Sequence, residues 1–110
     1  MGYMRHHAIV VTSGTRRLSL AHDKAEEIFP YVSPISPEGV NGYQSFFIPP
    51  DGSKEWWDES DRGDASRDKF VGYLRYLPVA WVEVQFNDDG GNTRVTRDSD
   101  HEEEAETCPV

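Results

Sequence analysis

The sequence predicts an α+β fold, a two-layer sandwich in the order β-α-β-α-β-β with a mixed four-stranded sheet and two helices on one face. Three observations predict it: runs rich in β-branched and aromatic residues, two segments with helical apolar spacing, and Pro- and Gly-rich turns between them. A chain of 110 residues is long enough for one domain with its own core. With only two helices, we expect both to cover the same face of the sheet.

The first predicted strand and helix follow each other directly. Residues 5–12 (RHHAIVVT) contain an unbroken apolar run, which is typical of a strand that is central or covered on both faces. The helix is predicted from Thr15 or Ser19 to Phe29, where Pro30 ends it. Its apolar stripe, at three- and four-residue steps, consists of Leu18, Ala21, Ala25, Ile28 and Phe29.

The rest of the chain predicts a second strand, a second helix and a hairpin. A Pro/Gly-rich loop leads to strand YQSFFI at 43–48, and a helix from Asp64 or Ser66 ends at Pro78. We expect Asp64 to cap that helix, whose stripe is Phe70, Tyr73, Leu74 and Leu77. The last pattern, Val82, Val84 and Phe86 alternating with Glu83 and Gln85, predicts a half-buried strand, and 93–97 its edge partner.

Charge divides the chain into a predicted domain, residues 1–97, and a predicted disordered acidic tail, residues 98–110. The tail holds six acidic residues and no Lys or Arg, whereas 1–97 hold 14 acidic and 11 basic residues. Seven acidic and three basic residues also make 51–68 an acidic loop. Clustered Lys/Arg is confined to one small patch, so we expect no direct DNA binding. The chain has no apolar run of membrane length and one cysteine, Cys108; we expect a cytoplasmic protein without membrane contact or disulfides.

The junction of the first strand and helix is the strongest candidate site. Small hydroxyl residues, a glycine and a helix start leave backbone N–H groups free for an anion, and neighbouring arginines can add charge-assisted hydrogen bonds. The alternative is a capped helix start with solvated arginines. Surplus aromatic side chains beyond the predicted core could stack on a base or simply cover the core. The predicted ligand-binding residues are Ser13, Gly14, Thr15, Arg16, Arg17, Tyr43, Trp56 and Trp57.

Metal and catalytic sites are less well indicated. His6 and His7 are adjacent on a strand and point to opposite faces, so they cannot ligate one metal ion together. A calcium-loop interpretation of residues 58–69 fails, because Arg62 and Lys69 stand where oxygen ligands are required. An acid–base pair of His7 and His22 could serve phosphodiester chemistry. We expect no metal, no cofactor and no catalytic residues.

Several segments resemble a family of small uncharacterised bacteriophage accessory proteins. They are RHHAIVVTS at 5–13, AHDKAEEIF at 21–29, NGYQSFFIPPDGSKEWWDES at 41–60 and WVEVQFNDD at 81–89. The resemblance implies a setting, the cytoplasm of an infected bacterium. Phage proteins of this size often manipulate their host, including by blocking its immune systems, and this anti-defence setting favours binding over turnover.

Three functional hypotheses follow. The first is a non-catalytic protein that sequesters a small phosphorylated nucleotide signal. The second is an inhibitor whose acidic loop and tail dock on a basic host protein that binds nucleic acid or acts in defence. The third is a small His-dependent phosphodiesterase or nuclease. Exposed aromatic side chains and a free hairpin edge permit a homo-oligomer without requiring it.

Overall fold

A computed structural model describes residues 5–50, 58–87 and 93–100 of the chain. Its elements follow the predicted order β-α-β-α-β-β. Two strands and two helices alternate before a closing hairpin: β1 (Arg5–Gly14), α1 (Thr15–Ile28), β2 (Tyr43–Ile48), α2 (Asp58–Leu74), β3 (Ala80–Asn87) and β4 (Arg94–Asp98). Neither helix is long and apolar enough in its described part to cross a membrane.

The four strands form one sheet in the order β2-β1-β3-β4, and every neighbouring pair is antiparallel. The prediction of a mixed sheet was therefore wrong. The reason lies between α1 and β2: the helix returns the chain along the sheet, and residues 30–39 then run back along the outer edge of β2. The chain thus enters β2 at Tyr43, opposite the end of β1 at Gly14. A short loop after α1 would instead have made β2 parallel to β1.

Both helices contribute to the same core as the same strands. α1 supplies Leu18, Ala21 and Ala25; α2 supplies Phe70, Val71 and Leu74; and the sheet and the segment before β3 supply Ile9, Val11, Phe46, Ile48, Val79 and Trp81. The predicted stripe of α2 is confirmed at Phe70 and Leu74, with Tyr73 and Leu77 partly buried and Val71 added. Ile9 and Val11 lie at alternate positions of central β1 and are fully buried, whereas Val10 between them is 38% exposed. β1 is thus central but not covered on both faces by the described residues.

β3 buries Glu83 and Gln85 together with Trp81, and not the alternating Val82, Val84 and Phe86. Trp81, Glu83 and Gln85 are buried on the helix side, while Val82 and Val84 are only partly buried on the other side. The expected burial of the apolar alternation was therefore wrong. Glu83 can be buried between the sheet and the helices because the side chains of Arg67 and Arg97 neutralise its charge there.

The proline-rich loop protects the outer edge of β2. Ser33 N–H donates to Phe47 O (2.9 Å), and Phe47 N–H donates to Ser33 Oγ (2.8 Å). Ser36 repeats the arrangement with Ser45, at 2.8 and 3.0 Å. Each serine therefore satisfies both backbone groups of one edge residue of β2, which removes a template for pairing with another strand.

The loop enters β2 through a tight turn of left-handed backbone. Asn41 has φ 63° and Gly42 has φ 73°, a region in which glycine is favoured and asparagine is tolerated. Gly42 O accepts a hydrogen bond from Thr15 Oγ1 (3.5 Å). The turn therefore places the start of β2 beside the start of α1.

α2 begins at Asp58, six residues before the earlier of the two predicted starts. Asp64 accordingly lies inside the helix and pairs with Arg67 at i+3, so its predicted capping role was wrong. Residues 58–68, which were predicted as part of an acidic loop, therefore belong to α2. β4 reaches Asp98, and Trp81 N–H donates to Ser99 Oγ (3.3 Å); residues 101–110 of the predicted tail lie outside the described residues.

Candidate functional site

An open hollow lies where β1 ends and α1 begins. Its volume is about 510 Å³, within the range of small-molecule sites. The lining comes from the junction, the start of β2 and the segment before β3: Thr12, Ser13, Gly14, Thr15, Arg16, Arg17, Tyr43, Pro78 and Ala80. Six of the eight predicted ligand-binding residues therefore line one hollow. Trp56 and Trp57 lie outside the described residues.

The first turn of α1 has no side-chain cap. Gly14 occupies the N-cap position with extended backbone (φ −69°, ψ 165°), and the first turn carries no acidic residue. The N–H groups of this turn therefore have no carboxylate or hydroxyl cap, and the helix dipole adds partial positive charge there. A Cβ added at Gly14 would meet nothing within 4 Å, so the space over the junction is open.

Two guanidinium groups stand beside this helix start. Arg16 and Arg17 are exposed, and neither has an ion pair or hydrogen bond with another residue in the part of the chain that the structure describes. Lys24, further along α1, does have partners, with its Nζ 3.5 Å from Glu27 Oε1 and 5.5 Å from the ring centre of Tyr73. The unneutralised positive charge of α1 is thus concentrated at the hollow.

Tyr43 and Ser13 occupy different positions in the hollow. Tyr43 pairs with Gly14 across the sheet and is 56% exposed, so its ring is available for stacking. Ser13 is only 6% exposed and lies on the sheet face that carries the helices. The accessible groups are therefore the helix-start amides, the two arginines, Thr15 and the Tyr43 ring.

One carboxylate lies close to the hollow without lining it. Glu38 Oε1 and Thr15 Oγ1 lie 3.7 and 4.0 Å from the position that a Cβ would take at Gly42. The two oxygens are therefore within about 8 Å of each other. Glu38 opposes an anion bound at the helix start, although water screens this exposed charge.

Sequence reasoning missed the contribution of β3 to the hollow. Pro78 and Ala80 line it because antiparallel pairing brings the start of β3 against the end of β1, with Thr12 opposite Ala80. A second hollow of about 370 Å³, lined by residues 74–81 with Ser99 and Asp100, shares Pro78 and Ala80 with the first. No local motif marks these residues; only the pairing register brings them to the site.

A polar cluster lies away from the hollow, between α2 and the sheet. Arg97 Nε and Nη2 donate to the two carboxylate oxygens of Glu83 at 2.9 Å each, and Thr96 Oγ1 donates to one of them at 2.7 Å. Arg67 Nε lies 3.4 Å from Glu83 Oε2, and Arg97 Nη1 lies 3.0 Å from Asp68 Oδ1. The Glu83 carboxylate is thus held by three side chains, which is the arrangement of a structural ion cluster.

This cluster shifts two pKa values. Burial alone would raise the pKa of Glu83, but hydrogen bonds from Arg97 and Thr96 and the charge of Arg97 lower it below 4.5. Burial lowers the pKa of His7 below 6.5, and the charge of Arg67 lowers it further, against weaker opposite effects of Glu83, Asp64 and Gln85. Both groups therefore favour the fold at neutral rather than acidic pH.

The structure does not assemble the proposed histidine pair. His7 lies opposite Gln85 in β3, whereas the ring of His22 packs edge-on against Phe46 (4.9 Å between centroids) and its Nε2 lies 2.9 Å from Ser33 O. Phe46 pairs with Val11, whose Cα lies four residues, or about 13 Å, along β1 from that of His7. The two rings are thus held by contacts at different points of the sheet.

Among the described residues, His22, Asp23 and Glu26 are the one group of three potential metal ligands that lie close together. Their ligand atoms lie within 4.8 Å of one another. Both carboxylates are exposed, and such groups on a helix surface are common without an ion. The geometry permits weak binding of a divalent cation and does not indicate a dedicated metal site.

Comparison with known proteins gives no family assignment. No protein-family model matches this chain, and neither a curated protein nor a solved structure is significantly similar to it. The inference about function therefore depends on the geometry of the hollow.

Proposed function

We propose that this protein binds a small phosphorylated ligand of the nucleotide class in the hollow at the β1–α1 junction, without turning it over. One observation carries the proposal: an uncapped helix start without acidic residues stands beside two arginines that have no partner among the described residues. A phosphate group would accept hydrogen bonds from the amides and from Arg16 and Arg17. The dipole of α1 would add to its stabilisation.

The nucleotide class follows from the position of Tyr43. Its half-exposed ring borders the same hollow as the arginines, so phosphate and base can be held at neighbouring points. Stacking of a base on an aromatic ring contributes about 1–3 kcal/mol. The hollow's volume, about 510 Å³, accommodates a nucleotide rather than only an inorganic ion.

The chemistry of the lining favours binding over catalysis. The side chains around the hollow offer arginine, hydroxyl and tyrosine groups, and no His, Cys, Asp or Glu belongs to the described lining. A hydrolytic site needs a general base or nucleophile within hydrogen-bond reach of the substrate. The histidine-dependent alternative has less support, because His7 and His22 are held by different contacts.

The resemblance to bacteriophage accessory proteins supplies the biological part of the proposal. Sequestration of a nucleotide signal in the infected cell would suppress a defence response without any enzymatic step. Docking of acidic residues on a basic host protein remains the alternative. The ion pairs of Asp64 with Arg67 and of Asp68 with Arg97 already neutralise part of the acidic segment, which favours the nucleotide hypothesis.

Calorimetric titration with cyclic dinucleotides, ADP-ribose derivatives and inorganic phosphate tests the proposal. We expect at least one nucleotide to bind, and Arg16→Gln/Arg17→Gln to weaken it at least 10-fold. Lys69→Gln, which removes an exposed cation from α2, serves as a control and should change affinity less than 2-fold. No heat and no thermal shift with any of these compounds would refute nucleotide binding.

A substitution at the helix start separates binding from folding. Gly14→Asp supplies the missing cap and meets no atom within 4 Å of its Cβ, so we expect unfolding stability to be kept or raised by a few tenths of a kcal/mol. The new carboxylate would occupy the amides and repel phosphate, so ligand affinity should fall at least 10-fold. Unchanged affinity would show that the helix start does not hold the ligand.

A further inference from the structure

The sheet has a second face, opposite the helices, and it is mostly apolar; Thr12 and Ser45, whose hydroxyls hydrogen-bond to each other, also lie on it. We call it the outer sheet face. The pairing register places one side-chain row of each strand on it, including Val10, Phe47, Val82, Val84, Phe86 and Val95. Phe47, Phe86 and Val95 are 46%, 42% and 53% exposed. Large apolar side chains therefore face away from the core in all four strands.

These side chains form one continuous patch. Val10 lies directly opposite Phe47 in β2 and opposite Val82 in β3. Val84 lies opposite Val95 in β4, so the patch extends without a break from one edge of the sheet to the other. Contiguous apolar patches of this kind mark interaction surfaces, whereas single exposed apolar residues do not.

The outer sheet face carries almost no charge. Among its described positions only Asp98, at the corner beside Val82, is ionised, although 28% of the chain is Asp, Glu, Lys or Arg. A nucleic acid or a basic protein would find nothing to pair with there. The occupant must itself be an apolar surface with the same twist.

We propose that a second copy of this chain covers the outer sheet face with its own outer sheet face, forming a two-fold symmetric β-sandwich. An identical twisted sheet supplies an apolar surface of the required shape, and a two-fold axis makes the contact closed and self-complementary. The two sheets would lie about 10 Å apart with their strands about 30° from alignment.

The available area agrees with a weak dimer. Aromatic side chains present roughly 200 Å² each when fully exposed, so the exposed fractions of Phe47 and Phe86 and of the valines beside them amount to about 400 Å² per copy. A pair would then bury on the order of 800 Å² of apolar side-chain surface, the size of weak, transient interfaces. We therefore expect a dimer with a dissociation constant on the order of 100 μM, which concentration can shift.

The competing occupant is a segment of the same chain. Residues 51–57 contain two tryptophans and would cover the patch within one molecule. Residues 101–110 contain four glutamates and do not match an apolar surface. An intramolecular cover predicts a monomer at every concentration, so the oligomeric state distinguishes the two.

Sedimentation equilibrium of the full chain from about 1 to 500 μM tests the proposal. We expect a monomer–dimer equilibrium that Val95→Lys in β4 and Phe47→Lys in β2 each weaken at least 10-fold. Val40→Lys is the matched control, since Val40 is 85% exposed in the loop before β2, and it should leave the dimer unchanged. Circular dichroism checks that each variant is folded. Because β2 and β4 are the two edge strands of the sheet, the test does not depend on one variant alone.

Salt provides a second readout. Each copy carries a net charge of −9, so the two copies repel each other while their interface is apolar. Raising salt from 0.05 to 0.5 M should therefore tighten the dimer. A monomer up to 500 μM, a dimer that salt dissociates, or a dimer indifferent to both lysine variants would overturn the proposal.

Discussion

Glu83 is 3% exposed, and its carboxylate depends on hydrogen bonds and ion pairs with its neighbours. Arg97 provides two of the hydrogen bonds and also contacts Asp68. Burying a charge without such partners costs several kcal/mol. Through Glu83, α2 and β4 are therefore linked at a position of β3 where an apolar core residue would otherwise be expected.

Replacing Arg97 should be much more damaging than replacing its neighbour Arg94. Arg97→Ala leaves Glu83 buried with only Arg67 and Thr96, so we expect a loss of about 2–4 kcal/mol in unfolding free energy. Arg94→Ala, on the same strand but exposed, should change stability by less than about 0.5 kcal/mol. Urea denaturation measures both. Equal effects would show that the ion cluster does not stabilise the fold.

Acid should weaken the fold through His7. In the folded chain its pKa lies below 6.5, the ordinary value expected in the unfolded chain, because of burial and the charge of Arg67. Between the folded and the unfolded pKa, the unfolded chain binds more protons than the folded chain. Unfolding free energy must therefore fall as pH drops through that interval. Glu83, whose folded pKa lies below 4.5, adds a further loss only at lower pH. His7→Gln should flatten the profile between pH 7 and pH 5; a profile identical to that of the unaltered protein would contradict the role of His7.

Glu38 gives a test of the electrostatics at the hollow. A unit charge at about 8 Å in water contributes about 0.5 kcal/mol, so Glu38→Gln should tighten phosphate or nucleotide binding about 2-fold. Glu26→Gln, at the other end of α1, is the control and should have a smaller effect. Calorimetry at low salt measures both. Weaker binding in Glu38→Gln would mean that Glu38 contacts the ligand rather than repelling it.

At the scale of elements, the loop before β2 hydrogen-bonds along the outer edge of that strand. Ser33→Ala and Ser36→Ala each leave one N–H of β2 without its hydroxyl acceptor, and we expect a loss of about 1 kcal/mol per substitution. Amide exchange at Phe47 should accelerate in Ser33→Ala and that at Ser45 in Ser36→Ala. Ser19→Ala, on the exposed side of α1, should alter neither. Unchanged exchange would show that the hydroxyls do not protect this edge.

The sequence predicted where the elements lie better than how they face each other. Helix α1, strand β2 and the closing hairpin are confirmed because local apolar spacing and turn residues determine them. The sheet was predicted as mixed because nothing in the spacing shows that the loop after α1 runs back along β2. The faces of β3 were reversed because Arg67 and Arg97, which make buried Glu83 tolerable, are 16 and 14 residues away in the chain.

At the scale of the whole molecule, the basic hollow belongs to a strongly acidic protein. The chain carries −9 overall, yet its first 24 residues contain four Lys or Arg and one Asp. The junction could be predicted from sequence because its residues are consecutive. Pro78 and Ala80 could not, because only the antiparallel pairing of β1 with β3 brings them to it.

The acidic end of the chain should oppose anion binding from a distance. Removing residues 101–110 eliminates four of the nine excess negative charges, so we expect nucleotide or phosphate affinity at about 0.02 M salt to rise roughly 2-fold. At about 1 M salt the Debye length falls to about 3 Å, and the truncated and full chains should bind equally. The contact with Arg16 and Arg17 itself weakens with salt in both. If the two chains differ by the same factor at low and high salt, the segment acts through contact with the hollow, and the long-range account is wrong.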